Sequence, residues 1–281
     1  MRAVILAAGY GTRMQRDVDA DTTGRYRHLS GVPKPLLPVA GAPLASHWIA
    51  ALEELGRLQE PVPVDEVVVV VNAANRARFE RWRDGLATSL KVTLVCDGAS
   101  SNETRPGAIA CMALGVGDGT VSDVLFIGGD TLFPAEFRLS EFLSAVRREL
   151  TADPRSCHVV SVPCPTEEVS RRGIIEIDET RRIVGFKEKP QPSETSSRLQ
   201  CPCFYFIPAA SLSHLTSYLA HHPSLAERDA TGLLVADLAQ RERVVAHPAP
   251  SRYDVGSLAS YLQCCRELEA AGVGDGPRAS S

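Results

Sequence analysis

The segment Leu6-Ala7-Ala8-Gly9-Tyr10-Gly11-Thr12-Arg13 carries the strongest chemical signal in the chain. An apolar strand running into Gly-x-Gly lets backbone N–H groups approach a phosphate with no Cβ in the way, and Arg13 adds a charged fork for the same anion. This is not a dinucleotide fingerprint, which needs glycine or alanine where Met14 stands. No Gly-Lys-Ser/Thr phosphate loop occurs anywhere. A second basic block, Val32-Pro33-Lys34-Pro35-Leu36-Leu37-Pro38-Val39, offers Lys34 as a further cation between two stiffening prolines. Farther on, Leu125-Phe126-Ile127 runs into Gly128-Gly129-Asp130. A carboxylate at the carboxyl end of a strand, beside a phosphate loop, is where a hard cation bridging phosphates would be held.

With Gly41-x-Pro43-Leu44, these blocks resemble the sugar-1-phosphate nucleotidylyltransferase family, and the resemblance spans about residues 2–270. It implies a nucleotide-binding set of Leu6, Ala8, Gly9, Gly11, Thr12, Arg13 and Lys34, with Arg13 and Lys34 neutralising the phosphates during attack. It also implies that Asp130 holds a divalent metal, Mg²⁺, and that Asp254 in Tyr253-Asp254-Val255-Gly256 is the second metal carboxylate. Phe186-Lys187-Glu188-Lys189-Pro190 resembles the family's Glu-Lys-Pro block, in which Lys189 would grip the phosphate of the acceptor sugar and Glu188 would accept hydrogen bonds from its hydroxyls. Gly173-Ile174-Ile175-Glu176 resembles the preceding segment, so the backbone at Gly173 would line the sugar pocket. Arg13, Lys34 and Lys189 are then the catalytic cations.

Two departures stand out. Ser101-Asn102-Glu103-Thr104-Arg105-Pro106-Gly107-Ala108 occupies the place of the family's Gly-Thr-Ala-Gly-type base block. Gly107 and Ala108 match it and Asn102 is a candidate for bonding the base, but the preceding Gly-Thr is missing, so the base stays open. The stretch from Gln15 to Val32 is longer than the family's usual link. Its Asp17, Asp19 and Asp21 mimic a calcium loop, which fails because glycine is required where Thr22 sits and glutamate where His28 sits. It reads as a mobile lid or solvated loop.

The implied reaction joins a nucleoside triphosphate to a sugar-1-phosphate. Alternatives are a cytidylyltransferase acting on phosphocholine or another alcohol phosphate, and a non-catalytic relative that only holds a nucleotide-sugar. An NAD-dependent oxidoreductase is opposed by Met14 and by Asn72, where an acid would close the second strand. His221-His222 reads as a helix-end cap or solvated pair, and Cys111 as core.

The elements that must position these residues alternate. Ala3–Ala8 and Val67–Val71 read as buried strands, and Val92–Cys96 and Val124–Ile127 as strands. Between them helices are predicted for Pro43–Leu55, along the Phe79/Trp82/Leu86 stripe, over Gly107–Leu114, and on Phe142/Val146/Leu150. Beyond residue 150 come a strand at Val159–Val162, a hairpin joining Ile174–Ile177 to Ile183–Phe186, and a strand at Phe204–Ile207. Helices at Leu212–Leu219 and Leu233–Leu238, a strand at Val244–Ala246 and a helix near Leu258–Leu268 follow; Gln191–Arg198 reads as an exposed loop. The fold class is therefore α/β, a Rossmann-like three-layer sandwich with a mainly parallel mixed sheet. A single domain is expected over residues 1–270, with a nucleotide-binding half (1–150), a sugar-phosphate-binding half (151–270) and a disordered tail (271–281).

Composition narrows the partners. The chain has 281 residues, 34 acidic and 30 basic side chains, and a net charge of −4. That balance lacks the basic excess of a general nucleic-acid binder. Its apolar runs are too short to span a bilayer, and the N-terminus lacks a secretory pattern. Eight cysteines without CxxC spacing fit reduced thiols in a cytoplasmic protein. A homo-oligomer is left open.

Overall fold

Runs of β-branched residues build the middle of a ten-stranded sheet in a computed structural model that describes residues 1–58, 63–119 and 122–270. The expected tail at 271–281 lies outside the described residues. Strand β1 (Arg2–Leu6) is followed by a tight pair, β2 (Pro38–Val39) and β3 (Ala42–Pro43), then by β4 (Glu66–Val71), β5 (Val92–Cys96) and β6 (Val124–Gly128). A short β7 (Thr131–Leu132) precedes β8 (Cys157–Pro163), the hairpin β9 (Gly173–Ile177) and β10 (Ile183–Glu188), β11 (Leu199–Gln200), β12 (Phe204–Ile207), β13 (Val244–Pro248) and β14 (Tyr253–Asp254). The order is β10-β9-β11-β8-β12-β6-β1-β4-β5, with β13 added to β8. Strands β6, β1, β4 and β5 are mutually parallel, whereas β12 runs antiparallel to β6 and β8.

Strand alternation divides the core into two layers. Ala3, Ile5, Val67, Val69 and Val71 face one side; Val4, Val68 and Val70 face the other. The first side is covered by α2 (Leu44–Leu55), α3 (Arg76–Asp84), α5 (Leu139–Ala152) and α9 (Leu258–Ala270), after a first helix α1 (Thr12–Asp19). The second is covered by α4 (Ala108–Val116), α6 (Ser213–His221) and α8 (Gly232–Arg241), with a single turn α7 (Leu225–Arg228) between the last two. Helix α2 illustrates the cause: Leu44, Trp48, Leu52 and Leu55 recur at helical spacing and are all buried. Each buried leucine contributes roughly 1.5–3 kcal/mol.

Two expectations are corrected. The stretch 15–32 is a solvated loop only in its middle, where residues 20, 22–25 and 27–28 are exposed, and its two ends are anchored in the core. Helix α1 carries the chain to Asp19, with Met14 and Val18 buried, and a 3-10 turn at Arg27–Leu29 buries Leu29. The Asp17 carboxylate accepts the Leu258 backbone N–H at 3.1 Å, fixing α1 to the start of α9. The loop Gln191–Arg198 is only partly exposed. Thr195 is buried and donates to Glu176 at 3.0 Å, while the Arg198 guanidinium donates to the carbonyls of Thr195 and Ser197 at 2.9 and 2.8 Å.

Candidate functional site

The carboxyl ends of β1, β5 and β6 and the segments following β8 and β13 enclose a cleft of ≈ 580 Å³. Its floor begins where β1 ends. Leu6 accepts the Gly129 backbone N–H at 3.0 Å, and the Ala8 carbonyl accepts from the buried Asn72 side chain at 2.9 Å. Gly11, at φ +62, turns the loop into α1 with a conformation that costs other residues strain. Gly9, Thr12 and Arg13 line the cleft, and Arg13 is exposed and forms no ion pair among the described residues. The first-turn N–H groups of α1 add partial positive charge at this end.

Lys34 stands in a 3-10 turn after Pro33, and its ammonium donates to Asp130 Oδ2 at 3.1 Å. Asp130 follows β6 in the turn to β7, and β7 pairs antiparallel with β14, placing Asp254 opposite Thr131. The Val255 N–H donates to the Asp130 carbonyl at 2.9 Å. Trp48 braces this corner by donating its indole N–H to the Thr131 carbonyl at 2.8 Å.

Asp254 pairs with Arg172 and, at 3.4 Å, with Arg252. Burial alone would push its carboxyl pKa up, but Arg252, Arg172 and Lys34 outweigh burial and hold it below the ordinary carboxylate range. Arg252 also reaches Gln200 at 3.0 Å and Thr131 Oγ1 at 3.3 Å. Arg172 and Arg252 were not anticipated. The signal for Arg252 was available: it lies two residues before Asp254, and a period of two puts both on one face of an extended segment.

At the far end, Gly173 has no room for a side chain, because a Cβ would lie 2.6 Å from the Phe186 ring and 3.1 Å from Glu188 Oε2. Glu188 pairs with Lys189 at 3.4 Å, and Lys189, at φ +51, donates its backbone N–H to Arg172 at 2.9 Å. At the opposite end Asn102 opens a 3-10 turn, and Gly107, at φ +95, starts α4 against the backbone of Arg228. Every residue anticipated from sequence (Leu6, Ala8, Gly9, Gly11, Thr12, Arg13, Lys34, Asn102, Gly107, Asp130, Gly173, Glu188, Lys189 and Asp254) lines this one cleft.

Two carboxylates joined through the β7–β14 ladder are hard oxygen donors, of the kind that suit Mg²⁺ or Mn²⁺ rather than zinc. No group of three or more His, Cys, Asp or Glu with metal-binding geometry lies among the described residues, so a cation here would complete its shell from phosphate and water. His221 and His222 cap the end of α6, as read from sequence, with their Nδ1 atoms 2.7 and 2.9 Å from the Ser217 and Tyr218 carbonyls, and His222 also stacks on Tyr218 with ring centroids 4.0 Å apart. Cys111 is buried in the second core layer, as expected, but also lines the cleft.

The nucleotidyl transferase family model matches residues 2–271. Mannose-1-phosphate guanylyltransferase 1 of Arabidopsis thaliana is 30% identical over 196 residues, covering 68% of this chain and 46% of the relative. A CMP-5'-(3-aminopropyl)phosphonate synthase of Streptomyces rubellomurinus is 32% identical over 135 residues, covering 47% of this chain and 18% of that protein. The chain thus spans less than half the length of these relatives. A crystal structure of a UDP-glucose pyrophosphorylase with UDP-glucose superposes with a TM-score of 0.72 at 18% identity, covering 96% of this chain and 98% of the other. That likeness is one of fold.

Proposed function

The chain belongs to the nucleotidyl transferase family, and we propose that it joins a nucleoside triphosphate to a sugar-1-phosphate, giving an NDP-sugar and pyrophosphate. The observation that carries this reading is the convergence of the Gly9–Arg13 loop, Lys34, Asp130 and Asp254 in one cleft. An oxygen of the acceptor phosphate attacks the α-phosphorus, a new P–O bond forms, and the bond to pyrophosphate breaks. The nucleophile is already an anion, so no side-chain nucleophile or strong base is needed. The protein must align two repelling anions and compensate their charge.

The loop amides and Arg13 bind the triphosphate. Lys34 moves from Asp130 toward phosphate oxygens, and Lys189 holds the acceptor phosphate while Glu188 accepts from sugar hydroxyls. Arg172 and Arg252 keep Asp254 ionised and aimed into the cleft. Asp130 and Asp254 would hold Mg²⁺, which when bound neutralises the polyphosphate charge. By this reading the nucleotide sits on the half up to residue 150 and the acceptor on the half from 151 to 270. Eight free thiols support a cytoplasmic location.

A phosphonate or alcohol-phosphate acceptor is the second reading, favoured by the likeness to the CMP-5'-(3-aminopropyl)phosphonate synthase. The test is pyrophosphate release with each triphosphate, Mg²⁺, and a panel of sugar-1-phosphates, phosphocholine and an aminoalkyl phosphonate. Release with a sugar-1-phosphate supports the first reading. Release only with a phosphonate or alcohol phosphate replaces it with the second.

A further inference from the structure

Among the side chains of the cleft, Asp97 is the one whose charge the phosphate chemistry leaves unexplained. It follows β5, lines the cleft, and forms no ion pair among the described residues, although the rest of the cleft is rich in arginine and lysine. Its surroundings are built. Oδ1 accepts the Ala99 N–H at 2.8 Å, and the Tyr10 hydroxyl donates to the Ala99 carbonyl at 2.8 Å. Oδ2 lies 4.0 Å from the Cys111 thiol, which burial pushes up to about 12 and so keeps uncharged. Burial also raises the Asp97 carboxyl pKa, and no neighbouring cation opposes it.

The sheet order says what this carboxylate would meet. Gly173 and Glu188, on β9 and β10, lie toward one end of the order; Asp130 and the Gly9–Arg13 loop follow β6 and β1 in its middle; Asp97 follows β5 at the other edge. On the proposed function, on which this inference rests, the acceptor takes the first end and the phosphates the middle. The nucleoside is left over the ends of β4 and β5. A carboxylate there accepts hydrogen bonds and cannot give them. Guanine alone offers it two adjacent donors, N1–H and the 2-amino group. Adenine and cytosine each set one donor beside an acceptor, and uracil and thymine flank a single N–H with two carbonyls.

We infer that Asp97 is the base-reading residue and selects guanine, so that the triphosphate used is GTP.

Four measurements of pyrophosphate release test this, using GTP, inosine triphosphate (which lacks the 2-amino group), UTP and xanthosine triphosphate. The wild-type protein is expected to prefer GTP over inosine triphosphate by about tenfold to hundredfold in kcat/KM, the effect of one hydrogen bond to a charged group. Asp97→Asn keeps the acceptor for Ala99 but presents an amide. It should collapse the preference for GTP over inosine triphosphate and raise use of xanthosine triphosphate, whose 2-carbonyl accepts from the new amide. A gain of this kind cannot come from misfolding. Wild-type use of UTP as efficient as of GTP overturns the inference, as does a variant with an unchanged GTP preference and no gain on xanthosine triphosphate. If no triphosphate releases pyrophosphate, the transferase reading itself fails. The same nucleotides are then compared by calorimetric binding, where equal affinity for GTP and inosine triphosphate overturns the role of Asp97.

Discussion

Val255 donates its backbone N–H to the carbonyl of Asp130 across 2.9 Å, tying the strand that carries Asp254 to the turn that carries Asp130. Two aspartates far apart in the chain thereby have neighbouring backbones, held by main-chain bonding that long side chains alone could not fix. The cations around them divide into Lys34, on Asp130, and the Arg172–Arg252 pair, on Asp254.

Arg13 is exposed and makes no structural ion pair among the described residues, so its removal should leave folding intact. At an effective dielectric of about 20, a cation about 4 Å from an anion is worth roughly 4 kcal/mol. Arg13→Ala should therefore lower turnover about a hundredfold or more while the melting temperature stays within a degree or two. Pyrophosphate release and a thermal melt check both halves; turnover within twofold of wild type contradicts the role.

Gly129 has no room to grow. A Cβ there would lie 2.4 Å from the Leu6 carbonyl oxygen and 2.9 Å from Pro35 Cγ. Gly129→Ala should cost about 1–3 kcal/mol by pushing the turn away from β1, and it should depress activity further by displacing Asp130. Urea unfolding measures the first effect. An unchanged midpoint would show that the turn can yield.

The buried histidine pair predicts acid sensitivity. His158 Nδ1 lies 3.1 Å from His247 Nε2, and its other ring nitrogen lies 3.1 Å from Ser156 Oγ. Burial, then His247 and Arg243, lowers the His158 pKa to about 3; burial, then Arg181 and Arg148, lowers that of His247 to about 4. Below the free value of 6.5, the unfolded chain takes up protons that the folded one refuses. Stability is thus complete above pH 7 and falls as pH drops through 6.5 toward 4, on the order of 3 kcal/mol per histidine. Denaturant unfolding of His158→Gln over that range should show a shallower decline than wild type. Equal slopes contradict it.

Legibility from sequence followed from where each cause lies. Strands β4 and β12 are short apolar runs whose burial is written locally, whereas β5 lies at the edge of the sheet and is only part-buried along its length. Helix α1 escaped because only Met14 and Val18 are apolar in a polar stretch, and the surface they meet includes α9 from the other end of the chain. Arg172 escaped because a chain with many arginines does not mark which of them will meet an aspartate 82 residues on, whereas Arg252, two residues before Asp254 on the same face, was readable. Asp97 escaped for a different reason: its place at a strand's carboxyl end was readable, but its lack of a cation is a property of the folded neighbourhood.

The central claim is that Asp130 and Asp254 together hold one divalent cation on the bound triphosphate. Its most direct measurement is the electron paramagnetic resonance titration of Mn²⁺ against the protein with a non-hydrolysable triphosphate. The account predicts one tight site in the wild type, weakened at least tenfold in both Asp130→Asn and Asp254→Asn, each still folded by circular dichroism. Wild-type Mn²⁺ affinity in either variant would contradict it.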